Sequence, residues 1–143
     1  DAEAGLARVQ IDDCSCEFPI ADPRLHGSDQ DFVFLMANDR VGENLPYRDI
    51  VKCPVSAGGI GQRDVWCSEG LVGEPTFAPR EPANDAGDAG WLLVQLYLPG
   101  EHRTQFVILD AANVGAGPVC RLHLPHPVPF GFHTTFGAEV LSG

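Results

Sequence analysis

The clearest structural signal in the chain is the stretch WLLVQLYLPGEHRTQFVILD, residues 91–110. Its first eight residues are almost continuously apolar, which is typical of a short strand that is covered on both faces. A turn at residues 99–102 then separates this run from a second apolar run at residues 104–110. Two such runs joined by a Pro-Gly turn predict a β-hairpin. The chain is therefore expected to be built around a β-sheet.

Short runs of β-branched and aromatic residues continue on both sides of this hairpin. Further strands are predicted at residues 32–37, 49–55, 63–67, 119–124 and 130–136. Residues 73–80 are expected to be extended, because Pro75 and Pro79 exclude a helix. A turn is expected at residues 57–61 and a loop at residues 81–90. Since no segment keeps a 3.6-residue period over three turns, the sequence predicts an all-β fold.

The predicted strands fall into two groups with similar spacing along the chain. Residues 17–69 and residues 74–124 each contain several short strands, which is typical of consecutive blades of a β-propeller. Residues 128–136 would add one inner strand that carries His133. The whole chain, residues 1–143, is interpreted as one partial propeller. Because it begins with Asp1 rather than Met, we expect it to be a piece of a longer polypeptide.

The composition argues against several classes of function. The chain has 20 acidic and 9 basic residues and a formal net charge of −11, with no cluster of Lys and Arg. Phosphate binding needs such clusters, so no nucleic-acid partner is expected. No apolar run approaches the roughly 20 residues that span a bilayer. The 5 cysteines are odd in number and include no CxxC pair, which favours free thiols in a reducing compartment.

Three side chains stand out as candidates for chemistry. His133 lies between Phe132 and Phe136, and an imidazole among aromatic rings is expected to be at least half buried and hydrogen-bonded. From these residues alone, a core histidine is the simpler interpretation. Glu17 and Glu74 each precede an extended segment that contains proline. They could be exposed at strand ends, or they could accept the free N–H of a metal-bound imidazole, and the spacing leaves both possibilities open.

The remaining histidines are expected at the surface, and they are His26, His102, His123 and His126. The last two have HxxH spacing, which on a helix would place both imidazoles on one face. Pro125 and Pro127 exclude that helix. A metal role for this pair is therefore not favoured.

Several motifs, in order along the chain, resemble the carotenoid oxygenase family, also called carotenoid cleavage dioxygenases. Residues 73–80, GEPTFAPR, are similar to that family's G-E-P-x-F-x-P-R signature, and residues 128–133, VPFGFH, to its V-P-x-G-F-H ending. The run EFP at residues 17–19 fits the same pattern. The resemblance extends over about residues 14–136. One departure is Thr134, because the family usually has glycine after its last histidine.

The resemblance implies a seven-bladed β-propeller with an Fe(II) ion on its axis, held by four histidines. It implies that His133 is the last of these ligands and that Glu17 and Glu74 orient ligand imidazoles. Phe132 is expected to face the apolar tunnel that receives the substrate. The other three ligands have no counterpart in this chain. The chain is therefore expected to be the C-terminal portion, about two blades plus a closing strand, and to be inactive alone.

The implied reaction splits a carbon–carbon double bond of a carotenoid, apocarotenoid or stilbene with O2 and gives two carbonyl products. Four neutral imidazoles leave open positions on a ferrous ion, as in other non-haem iron oxygenases. A second hypothesis is a non-catalytic β-propeller interaction module that has lost the metal site. Peripheral membrane contact would be made by regions outside this chain. The protein is expected to be intracellular, in the cytoplasm or a plastid.

Overall fold

The computed structural model describes residue 10 and residues 14–38, 46–55, 63–84 and 86–137. The strands in these residues are β1 (Ser15–Ile20), β2 (Phe32–Asn38), β3 (Asp49–Pro54), β4 (Asp64–Cys67), β5 (Leu71–Val72), β6 (Thr76–Pro79), β7 (Gly90–Leu98), β8 (Arg103–Asp110) and β9 (Pro118–His123). Two 3-10 helices cover Pro23–Leu25 and Val114–Ala116. The predicted all-β class is confirmed. The turn predicted at residues 57–61 lies outside the described residues.

The strands form two antiparallel sheets. The first sheet has the order β1-β2-β3-β4, and the second has the order β5-β7-β8-β9, with β6 also paired to β7. The predicted hairpin is confirmed, because β7 and β8 pair continuously from Trp91 with Asp110 to Leu98 with Arg103. The second sheet begins at Leu71, three residues before the predicted start of its blade.

The main hydrophobic core lies between the two sheets. Alternate residues of β7 are buried in it, and they are Leu92, Val94, Leu96 and Leu98. Phe34 of β2 and Phe77 of β6 meet across the core with ring centroids 5.7 Å apart. The sequence predicted that both faces of β7 would be buried. Only one face is fully buried, because the side chains on the other face are half-buried. Two sheets stacked around one apolar layer are the arrangement of neighbouring propeller blades.

Two ion-paired side chains, Arg24 and Lys52, add polar links between the first sheet and the loop before β7. Arg24, just after β1, donates to Asp22 Oδ2 at 2.7 Å and to the carbonyl oxygen of Ala89 beside β7 at 2.9 Å. Lys52 of β3 donates to Asp88 Oδ2 at 2.7 Å. Both pairs are largely shielded from solvent, so they fix how the first sheet sits against the loop that precedes β7.

One prediction about the C-terminal segment is wrong. The sequence predicts an inner strand at residues 128–136, but residues 124–137 are all described and contain no strand. Pro125, Pro127 and Pro129 lack the N–H that a strand donates to its neighbour. The alternating prolines therefore prevent a continuous ladder where the chain leaves β9.

Side chains of the second sheet hold this segment instead. The Gln95 Nε2 amide donates to the carbonyl oxygen of Val128 at 3.0 Å, and the Val128 N–H donates to Thr104 Oγ1 at 2.8 Å. Further along, the rings of Tyr97 and Phe130 pack edge to face at 6.3 Å. The segment thus crosses the half-buried face of β7, and this brings residues 130–136 beside the start of β6.

The structure also describes the cysteines and the helices of the chain. All five cysteines lie within the described residues, and Cys16 and Cys120 are free thiols. In the part of the chain that the structure describes, no helix has the length and apolar character needed to cross a membrane.

Candidate metal centre

Glu74 lies at an interruption between β5 and β6, which pair with successive parts of β7. Val72 pairs with Leu96 and Thr76 pairs with Leu93, so the stretch that contains Glu74 has one residue more than the strand opposite. The proline that follows Glu74 has no N–H for the ladder. An extra residue of this kind bends a strand and redirects a side chain, and such bulges are common beside active sites.

The redirected carboxylate meets the imidazole of His133. Glu74 Oε1 lies 3.3 Å from His133 Nδ1. The Glu74 side chain is 10% exposed, whereas the His133 side chain is 68% exposed. The expectation of a histidine that is at least half buried is therefore wrong, because the described residues cover only part of the ring. The structure brings these two candidate residues together across 59 positions of sequence.

The contact defines the tautomer of His133. An ionised carboxylate accepts hydrogen bonds and donates none, so the Nδ1 of a neutral His133 must carry the proton. Nε2 then keeps its lone pair, which is the atom that a metal ion can bind. Metal-binding histidines almost always donate their second N–H to a carboxylate, a carbonyl or water in this way. The pair therefore fits one ligand of a metal ion together with the group that orients it.

Thr134 holds the second oxygen of the same carboxylate. Glu74 Oε2 accepts the backbone N–H of Thr134 at 2.5 Å and its hydroxyl at 3.2 Å. The Thr134 hydroxyl also forms a hydrogen bond with the hydroxyl of Thr76 on β6. The side chain that stands where the family usually has glycine is thus accommodated by hydrogen bonds.

The first sheet contributes an aromatic ring to His133. β1 has one extra residue relative to β2 between Glu17 and Ile20. Phe18 within this bulge has a φ of 55°, a left-handed conformation that bulky residues rarely adopt. Its ring centroid lies 5.5 Å from that of His133. Glu17 itself is exposed and, within the described residues, forms no hydrogen bond with His133.

Phe132 completes the aromatic contacts of the imidazole. Its ring centroid lies 4.6 Å from that of His133 and 5.4 Å from that of Phe18, and its side chain is 74% exposed. A groove of about 710 Å³ opens beside the site between Ile20 and Phe136, but Phe132 does not line it. The expected contact of Phe132 with substrate stays a prediction.

One imidazole and one carboxylate do not make a complete metal site. Among the residues that the structure describes, no group of three or more His, Cys, Asp or Glu side chains is placed to hold an ion. His102 Nδ1 bonds instead with the Tyr97 hydroxyl at 2.8 Å, and His126 Nδ1 with the carbonyl oxygen of Pro127 at 3.2 Å. Any further ligands would come from outside the described residues.

Sequence reasoning did not find Phe18 or Thr76 as parts of this site. Phe18 lies in the EFP run, but its contact with His133 depends on a bulge that only the pairing of β1 with β2 reveals. Thr76 is a common residue type in strands. Thr134 did carry a signal, since it interrupts the family pattern directly after the histidine.

The two stacked antiparallel sheets define the class of this chain as part of a β-propeller protein, and the contact of Glu74 with His133 marks its candidate site. The chain belongs to the family described as RPE65, retinal pigment epithelial membrane protein, whose model matches residues 2–138. This is the carotenoid oxygenase family that the motifs predicted, and that prediction is confirmed.

Individual relatives agree with this placement. The chain is 36% identical over 118 residues to apocarotenoid-15,15'-oxygenase of Synechocystis sp., across 82% of this chain and 24% of that protein. It is 33% identical over 111 residues to the chromoplastic zeaxanthin 7,8(7',8')-cleavage dioxygenase of Crocus sativus, across 71% and 30%. A solved structure of cobalt-substituted Synechocystis ACO superposes with a TM-score of 0.75 at 32% identity, across 85% and 25%. The chain thus spans about a quarter to a third of the length of these relatives.

Proposed function

We propose that this chain supplies His133 as one iron ligand, and Glu74 as the carboxylate that orients it, to a non-haem Fe(II) dioxygenase. The enzyme cleaves a carbon–carbon double bond of a carotenoid, apocarotenoid or stilbene. Each carbon of the broken bond receives one oxygen atom of O2, so the products are two carbonyl compounds. The observation that carries the proposal is the contact between Glu74 Oε1 and His133 Nδ1.

The chemistry of the donor set supports iron at this position. A neutral imidazole suits Fe(II), and a bound Fe(II) would supply open coordination positions for reaction with O2. The cobalt-substituted relative supports a metal ion in the family site. The names of the two relatives support cleavage of a polyene.

The residues of this chain would prepare the site in three ways. Glu74 keeps the proton of His133 on Nδ1, so that Nε2 remains a donor. The rings of Phe18 and Phe132 pack against the edge of the imidazole and limit its rotation. Phe132 also offers an apolar surface to the substrate.

Glu17 has a related role in this proposal. It directly precedes the bulge of β1, and Glu74 lies in the interruption between β5 and β6 of the second sheet. We therefore assign Glu17 to a ligand histidine that lies outside this chain.

The test uses the full-length protein that contains this chain. His133→Ala is expected to abolish double-bond cleavage and to lower the iron content, because one of the ligands is lost. His126→Ala is the matched control, since His126 is exposed and its Nδ1 bonds to the carbonyl oxygen of the residue after it. Iron is measured by elemental analysis and cleavage by chromatography of the carbonyl products.

Two outcomes would contradict the proposal. One is a full-length protein that contains no iron, and the other is cleavage that persists in the His133→Ala variant. Absence of iron would favour a non-catalytic β-propeller interaction module, whereas persistent cleavage would show that the enzyme does not need His133 as a ligand. The exposure of His133 and the absence of a three-ligand group in the described residues are the observations that keep this alternative in view.

Location and membrane contact follow from the proposed substrate. A plastid or the cytoplasm fits a protein whose relative in Crocus sativus is chromoplastic. Apolar polyenes are stored in membranes, so regions outside this chain would make peripheral membrane contact. Fractionation of cells that express the tagged full-length protein tests both proposals.

A further inference from the structure

We propose that Thr134, supported by Thr76, is a positioning residue that locks the Glu74 carboxylate and thereby fixes the imidazole of His133. The inference rests on the proposed function, because it assigns a role toward the metal that His133 would bind. It concerns the position where this chain departs from the family pattern.

The hydroxyl groups of Thr76 and Thr134 both donate toward the Glu74 carboxylate. Glu74 Oε2 can only accept, so the Thr134 hydroxyl 3.2 Å away must be the donor. A hydroxyl has a single proton to donate, and that of Thr134 is used on Glu74. The Thr76 hydroxyl is therefore the donor in its hydrogen bond with Thr134 Oγ1. A row of donors thus leads from β6 through Thr134 to the carboxylate.

The two oxygens of the Glu74 carboxylate accept hydrogen bonds from different residues. Oε2 takes two hydrogen bonds from Thr134, one from the backbone N–H and one from the hydroxyl. Oε1 is left for the Nδ1–H of His133. Two donors on one oxygen resist rotation of the carboxylate about its terminal bond, so the direction of Oε1 is defined. Glycine at position 134 would keep only the backbone donor.

The C-terminal segment needs such an anchor. Residues 124–137 form no strand, so no backbone ladder holds the stretch that carries His133. Thr134 is the next residue in the chain and bonds to both Glu74 and Thr76 of the second sheet. Because β6 is paired to β7 along its whole length, it is a rigid support for this anchor.

The experiment compares three variants of the full-length iron-loaded protein. Thr134→Val removes the hydroxyl at nearly constant volume, Thr134→Ser retains the hydroxyl, and Thr76→Val removes the donor behind it. Iron release to a chelator is timed, and the electron paramagnetic resonance spectrum of the ferrous–nitric oxide complex reports ligand geometry. Neither readout depends on turnover.

We expect Thr134→Val to release iron about tenfold faster, since loss of a group that orients a ligand typically costs about 10–100-fold in metal affinity. Its spectrum should also shift. Thr134→Ser should match the parent protein in both readouts, and Thr76→Val should change them in the same direction as Thr134→Val but less. Thermal unfolding midpoints show whether each variant is folded. If Thr134→Val does not fold, the comparison of Thr76→Val with Thr134→Ser decides the question.

The inference is overturned if Thr134→Val and Thr76→Val release iron at the parent rate, or if Thr134→Ser behaves like Thr134→Val. Its failure can be separated from that of the proposed function by His133→Ala. If His133→Ala loses iron while both valine variants retain it, only the positioning role fails. If His133→Ala retains iron, the proposed function fails with it.

Discussion

The contact between His133 and Glu74 orients the imidazole and contributes little to the free energy of folding. With the imidazole 68% exposed, water screens its interaction with the carboxylate. Exposed pairs of this kind contribute about 0–1 kcal/mol to folding. A change at Glu74 should therefore alter what His133 can bind far more than it alters the free energy of unfolding.

Glu74→Gln tests this separation in the full-length protein. We expect the affinity for iron to fall about 10–100-fold, because the amide is a weaker and ambiguous partner for the imidazole N–H. The unfolding midpoint should hardly move. Glu101→Gln, in the exposed turn between β7 and β8, is the control. Chelator competition measures the affinity, and equal values for the two variants would contradict the role of Glu74.

The site could be predicted from the sequence only in part. The motifs around Glu74 and His133 drew attention to both residues, but their contact joins positions 59 apart, and spacing does not report such a distance. Phe18 reaches His133 because a bulge places it at a φ of 55°. That conformation follows from strand pairing, which single-residue preferences do not encode.

The strands, like the site, could be predicted from the sequence only in part. Long apolar runs such as β7 and β8 were predicted within one residue of their bounds. β5 has only two residues, too few for any periodic signal. Residues 130–136 are rich in aromatic and β-branched side chains, as strands are, yet they have no partner strand in the described part of the chain. A strand needs a neighbour as well as a propensity.

The close approach of β7 to β6 gives a prediction about packing. A Cβ at Gly90 would lie 2.8 Å from the carbonyl oxygen of Ala78 and still closer to the ring of Phe77. Gly90→Ala should therefore lower the free energy of unfolding by about 1–3 kcal/mol, the usual effect of overpacking. Gly100→Ala is the control, since nothing lies within 4 Å of its added methyl group. Denaturant unfolding should separate the two variants, and equal midpoints would contradict this packing.

The pair of Lys52 and Asp88 gives a prediction about the junction of the sheets. Their side chains are 9% and 14% exposed, and the Lys52 ammonium also lies 4.1 Å from the ring centroid of Phe32. Lys52→Met would leave Asp88 without its cation while Asn84 still donates to the other oxygen, so we expect a loss of about 1–3 kcal/mol. Arg103→Met, on an exposed position of β8, is the control. A loss of stability no larger than that of the control would show that the pair does not hold the sheets together.

The folding stability of the whole chain should decrease at low pH. Burial opposes ionisation of Asp22, Glu69 and Asp88, but hydrogen bonds from Arg24, Arg121 and Lys52 outweigh it, so the pKa of each carboxyl is lowered. A lowered folded-state pKa adds stability above the usual value near 4, and this stability is lost as pH falls through the folded-state pKa.

The unfolding midpoint should therefore be nearly constant between about pH 7 and pH 5 and fall below about pH 4. Lys52→Met should show a weaker fall, because the pKa of Asp88 then loses its main cause of lowering. Differential scanning calorimetry at a series of pH values measures both. A midpoint that rises on acidification would mean that these carboxylates are not stabilised in the folded protein.

The two sheets and the segment that crosses them amount to about a quarter to a third of the relatives' length, and the candidate centre is correspondingly partial. The most direct measurement is an anomalous diffraction map of the crystallised full-length protein, recorded at the iron absorption edge. We predict a single iron peak within bonding distance of His133 Nε2, with Glu74 on Nδ1. An iron peak bound by other histidines with His133 turned away, or no iron peak at all, would contradict the assignment of this imidazole as a ligand.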